Sequence, residues 1–182
     1  MASQDSYNKF TDISQVPYKI ISYLMTKNET LWKLLADNSA TAWRTTNPDL
    51  TQDEKALLIY DGIRKPTECR VFMNTGLDDS WLFETTILRI SLIDATANTY
   101  VWGTLLVAFD IFSHYAISTL SNYSPRDLAV SEEIFKTLNG AEIPKLGQIY
   151  FDSRATARCR LSAIGQIPYR GLTVIMGVKS LG

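Results

Sequence analysis

Histidine is nearly missing from this chain: 182 residues include one, His114, and only two cysteines, Cys69 and Cys159. A single imidazole excludes any site that needs two histidine ligands and leaves most acid–base schemes resting on that one residue. The two cysteines lie ninety residues apart, each inside strand-like text, and read as reduced, buried thiols. No Gly-x-Ser-x-Gly elbow, phosphate-binding glycine loop, dinucleotide fingerprint or Cys-x-x-Cys pair occurs. No apolar run approaches the ~20 residues a membrane helix requires. The opening MASQDSYNKF lacks the basic and apolar regions of a signal peptide. An excess of one charge is missing too: 18 basic residues face 19 acidic ones, for a net charge of −1. That balance argues against tight, non-specific nucleic-acid binding by the monomer. The absences together predict a soluble cytoplasmic protein with no catalytic, cofactor or metal site and no membrane contact.

What is present is ordinary for a globular chain, 46% hydrophobic and 20% charged. A chain of this length folds as one domain, residues 1–182, and buries about 70% of its unfolded surface without staples. Residues 1–12 are polar and aperiodic and read as a flexible arm. Residues 13–62 read as a helical part, and 67–182 as sheet plus one helix.

The organising stretch is 81–118, where WLFETTILRISLID and YVWGTLLVAFDIFSHYAIS flank the polar ATANT. Two long apolar runs around turn-tolerant residues predict an antiparallel hairpin with its bend at 95–99. Leu88, Ile90 and Leu92 alternate with Arg89 and Ser91, so one face of the first arm is covered and the other partly wet. Residues 105–112 are apolar on both faces except for Asp110, the pattern of a central strand. Leu106 and Phe109, on opposite faces, are both expected to be buried.

Before the hairpin, SQVPYKIISYLMTK, NETLWKLLAD (capped by Asn28) and a capping box at Thr51-Gln52-Asp53-Glu54 mark three helices. Leu31, Leu34 and Leu35 share one face, with Trp32 at its margin. The third helix is expected to run through Ile59 and stop at Gly62. A first strand is expected at 67–74. After the hairpin, Ser124-Pro125 opens a helix that ends at Asn139-Gly140. Strand text follows at 148–152, 159–164 and 172–178, with a turn over 165–171. Six strand-like segments and about four helices in blocks predict an α+β fold, mainly antiparallel.

Candidate chemistry is thin. Asp110 is the one acid in strongly apolar text, so it must be paired or neutralised. A structural ion pair, within the subunit or at a subunit interface, is weighed above a catalytic acid with a raised pKa. His114 in FSHY reads as structural. Asp78-Asp79 and Asp94 read as turn formers. Arg154, Arg158 and Arg160 form a small basic cluster beside a strand, read first as a solvated loop and second as a surface able to touch phosphates. Trp43 is either tucked under its loop or offered to a partner, and Trp81 and Trp102 lie near strand starts.

The order of elements is more informative than any motif. N-terminal helices, a long hairpin, SPRDLAVSEEIFKTLNGAEI and then YFDSRATARCRLSAIGQIPYRGLTVIMGV resemble the tail terminator and neck proteins of tailed bacteriophages, over residues 50–180. The resemblance implies a structural virion protein: a small α+β subunit with an extended hairpin, closing with copies of itself into a ring, a hexamer, around the DNA channel. It implies tail-tube, neck and portal-complex proteins as partners, assembly in the host cytoplasm, and genomic DNA passing through the lumen without sequence-specific contact. It brings no catalytic residues. A head-completion adaptor seated against the portal is the neighbouring alternative. A small hydrolase or transferase using Asp110 and His114 is the distant one.

Overall fold

The computed structural model describes residues 13–73, 83–97, 103–151, 160–166 and 168–180. Within them the chain is α+β, with four α-helices and a mainly antiparallel, curled sheet, one face of which is covered by α1, α2 and α4. Helix α1 (Val16–Lys27) opens with Pro17, and α2 (Glu29–Ala36) opens on Asn28, whose side chain accepts from the Leu31 amide. The capping box of α3 (Gln52–Leu57) is present in both directions between Thr51 and Glu54. α4 (Arg126–Leu138) follows Pro125 and ends at Asn139, with Gly140 at φ +84 taking the left-handed position after the cap.

The sheet runs β1 (Val71–Phe72), β2 (Thr86–Ala97), β3 (Gly103–His114), β7 (Tyr169–Ser180), β5 (Gly147–Tyr150), β4 (Glu142–Ile143). β6 (Arg160–Gln166) shares with β5 the side of β7 away from β3: β6 takes residues 169–175 and β5 takes 177–179. β3 is therefore a central strand, while β2 has β1 on its other side only at Leu88 and Arg89 among the described residues. Leu105, Val107, Phe109 and Ile111 join α1, α2 and α4 in the main core, together with Val174, Met176 and Val178 of β7. Leu106 and Ala108 pack with Ile175 on the opposite face. Leu106 and Phe109 are 4% and 0% exposed, as a strand covered on both sides requires.

Several boundaries differ from the expectation. The first arm continues through Ala97, so Asp94 lies in the ladder opposite Leu106 and not at the bend. A β-bulge between Leu92 and Asp94 makes this possible. Without it Asp94 would fall on the helix-facing side after Leu88, Ile90 and Leu92. One extra residue moves it to the other face. β1 is two residues long and pairs parallel with β2, because Pro66–Glu68 forms a 3-10 turn where the strand was expected to start. α3 stops at Leu57, and Ile59 instead bridges Val71. β7 begins at Tyr169, inside the expected turn. Gly171 is required there, since a Cβ would stand 2.0 Å from the Ile111 carbonyl oxygen. Trp32 is fully buried and not marginal, because its indole fills the α1–α2 elbow and donates to the Leu24 carbonyl at 3.1 Å. The N-terminal arm, the residues of the bend itself, Asp78 and Asp79 lie outside the described residues.

Candidate functional site

Asp110 is the acid that the sequence singles out, and β3 places it on the sheet face away from the helices. Arg89 on β2 and Thr173 on β7 are its cross-strand neighbours. The Arg89 Nε donates to Asp110 Oδ2 at 2.8 Å, and Nη2 donates to the same oxygen. Thr173 Oγ1 donates to Oδ1 at 2.6 Å. The guanidinium also lies 5.8 Å from the centre of the Phe112 ring. Both carboxylate oxygens are thus engaged across three strands, which is the structural ion pair weighed first in the sequence. Such a group fixes register, since a slip of one residue would strand each partner on the wrong face.

His114 does not join it. The two residues stand four apart on β3, about 13 Å along the strand at its usual rise. His114 Nδ1 accepts from the Ala116 amide at 3.2 Å, and the ring meets Tyr169 edge-on at 5.4 Å. The Tyr169 hydroxyl donates to the Phe83 carbonyl, and burial raises its pKa above the ordinary phenol value. Cys69 is buried, and burial pushes its thiol up as well, away from nucleophilic use. Among the described residues no group of three or more His, Cys, Asp or Glu is placed to hold a metal ion. No helix among them is long and apolar enough to cross a membrane.

Trp43 is tucked under its loop. Its ring packs against the main core and its indole donates to Ser121 Oγ at 3.1 Å. Cys159, Trp81, Trp102, Arg154 and Arg158 lie outside the described residues, and of Arg160 only the backbone is described.

Three buried cations escaped the sequence reading. Lys33 Nζ holds the Asn47 carbonyl at 2.7 Å and Asp49 at 2.6 Å, pinning the loop that follows α2. Lys55 pairs with Glu29 and donates to the Met25 carbonyl. Arg126 is wholly buried and makes no ion pair with a carboxylate among the described residues. Its guanidinium donates instead to the carbonyls of Leu34, Asp37, Asn38, Ser39 and Ile117, at 2.5–3.1 Å. Burial lowers its pKa from the usual arginine value, with Asp37 acting against that. One signal was available: a cation in the first turn of a helix opposes the helix dipole, so Arg126 had to be serving something outside its own helix.

The surface offers a candidate for contact along β2. Ile93, at the bulge, is 48% exposed, and Ala95 and Thr96 beyond it are exposed too. Leu105 and Leu106 on β3, opposite Ala95 and Asp94, stay buried. The hairpin is therefore core at its base and surface along the outer strand of its far half. No protein-family model matches the chain, and no curated protein matches it in sequence.

Proposed function

We propose that the chain is a structural protein of the bacteriophage neck, a tail terminator. Copies of it close into a hexameric ring that caps the tail and joins it to the head around the DNA channel. The observation that carries the reading is the hairpin: two strands of 12 residues each, twice the usual ~6, with apolar Ile93 exposed beyond the part that the helices cover. β3 is covered along this length by β7, and the exposed outer half of β2 is what would serve a repeated subunit contact. Asp110, engaged by Arg89 and Thr173, supports structure over chemistry, and its distance from His114 leaves the hydrolase or transferase alternative without an acid–base pair. DNA in the lumen is held weakly and without base readout, as a subunit of net charge −1 implies.

Native mass spectrometry and negative-stain imaging of the purified chain test this. The expected result is a closed ring of six 20.5 kDa chains. A monomer or dimer at all concentrations would remove the reading.

A further inference from the structure

We propose that Asn139 is a gated deamidation site. The folded corner between α4 and β5 holds it unreactive, and opening of that corner is recorded as conversion to aspartate or isoaspartate. This does not depend on the chain forming a ring.

Asn139-Gly140 is the only asparagine followed by glycine in the chain. Such a pair is prone to cyclise, because glycine puts no side chain in the way of its own amide nitrogen. The Gly140 nitrogen attacks the Asn139 side-chain carbon Cγ. The N–Cγ bond forms, the Cγ–Nδ2 bond breaks, and ammonia leaves carrying the Gly140 proton. Water then opens the cyclic imide. Opening at Cγ gives aspartate, and opening at the main-chain carbonyl gives isoaspartate. No reactant but water is needed, and both residues are exposed to it.

The fold nevertheless engages both reacting groups. The Gly140 amide donates to the Ile149 carbonyl at 2.8 Å, and the Ile149 amide donates back to the Ala141 carbonyl at 2.8 Å. Asn139 Oδ1 accepts from the Phe151 amide at 2.9 Å. These bonds continue the ladder in which Glu142 faces Gln148 and Ile143 faces Gly147. The Asn139 side chain takes the rung that a main-chain carbonyl would fill in a longer strand. The donor on Oδ1 polarises the Cγ carbonyl, which by itself favours attack. Geometry is therefore what restrains the reaction: the nucleophile is tied to β5 by its own proton, and the electrophile is tied to the next rung.

Packing stiffens the same corner. The Phe135 and Phe151 rings meet edge-on at 4.7 Å, and Leu138 and Ile149 beside them are fully buried. Cyclisation needs both hydrogen bonds released together, which local opening supplies only in a small fraction of molecules. The two products differ in consequence. Aspartate still accepts from Phe151 but sets an anion at the C-terminal end of α4, where the helix dipole opposes it. Isoaspartate adds a carbon to the main chain and puts Gly140 and Ala141 out of step with Ile149.

Peptide mapping of the full chain by mass spectrometry tests this, after parallel incubation in mildly alkaline buffer, folded and in urea. The folded chain is expected to convert Asn139 at least about tenfold more slowly than the unfolded one. Phe151→Ala removes the ring contact and keeps the amide. Phe135→Ala takes its place if far-UV circular dichroism shows that the first variant does not fold. The folded variant is expected to deamidate severalfold faster than the wild type, while its rate in urea is unchanged. Hydrogen exchange on the wild type gives a second readout that needs no variant: the Gly140 and Phe151 amides are expected to be protected. Equal rates for the folded and unfolded wild type would overturn the gate. So would a folded variant as slow as the wild type, or a Gly140 amide that exchanges without protection.

Discussion

Replacing Arg126 with alanine removes one side chain and leaves five carbonyls facing a hole. A hydrogen bond from an ionised donor contributes about 1.5–3 kcal/mol net, and a buried acceptor stripped of its partner costs about 1–3 kcal/mol. Five such terms do not add, because one guanidinium makes all of them and water enters part of the space. The relevant scale is that of breaking a buried charged cluster, about 3–5 kcal/mol. We therefore expect Arg126→Ala to cost about 4 kcal/mol, against about 5–15 kcal/mol for a whole domain. Urea unfolding followed at 222 nm reads this directly. With a slope of about 2–3 kcal/mol per molar, the midpoint falls by about 1.3–2 M. Arg126→Lys separates charge from geometry. An ammonium keeps the charge but has three donors and no planar fork, so about half the loss is expected. A loss below about 1 kcal/mol for Arg126→Ala, or a lysine variant as stable as the wild type, would refute the view that this fork ties α2 and its following loop to α4.

Three further outcomes follow from the packing. Gly171→Ala places a methyl 2.0 Å from the Ile111 carbonyl oxygen, a backbone atom that cannot swing aside, and is expected to lower stability by about 2–3 kcal/mol in the same urea assay. Asp110→Leu alone leaves Arg89 without its anion and is expected to cost about 2–3 kcal/mol, somewhat less than a fully buried pair. The double variant Asp110→Leu/Arg89→Met recovers most of that, and a double-mutant cycle without coupling would refute the pairing. Thr51→Ala removes the cap of α3 and costs about 1 kcal/mol. The Thr51 amide and hydroxyl hold the Glu54 carboxyl below the ordinary glutamate value. That contribution is present above pH 4.5 and is lost as pH falls through the lower folded value. Acid unfolding curves should therefore lose part of their slope below pH 4.5 in the variant.

The architecture was readable wherever side chains alternate with a clear period. Leu88, Ile90 and Leu92, the apolar run into Phe109, and the Asn28 and Thr51 caps each point to one local structure, and each is found. The misses share a cause: they depend on what lies across space. Asp94 looks like a turn residue until the bulge beside it is known, and Tyr169 looks like part of a turn until β6 is seen to pair with it. Trp32 falls off the α2 stripe because that stripe ignores α1, which packs on its other side. Lys33 and Lys55 look like solvated surface because nothing nearby in sequence marks the carbonyls and acids they meet, and the position of Arg126 in a first helical turn does not say which carbonyls it serves. Asp110 was the exception among polar residues, since a lone carboxylate in apolar text demands a partner, and Arg89 and Thr173 supply it.

The bulge at Ile93 divides the hairpin into two segments under separate constraints. From Thr86 to Leu92 the strand is framed by the helix layer, and any change in its length would turn every side chain over. Past the bulge the frame has already been broken once, and the ladder from Asp94 to Ala97 is set afresh against Leu106 to Gly103. Losing or gaining a residue at that point alters a bulge, not a core. The base of the ribbon is thus bound to the fold's own interior, while the far half is free to drift in length and composition with whatever it meets outside. Change in this lineage of sequences would then accumulate in the outer half of one strand while the inner half stays fixed.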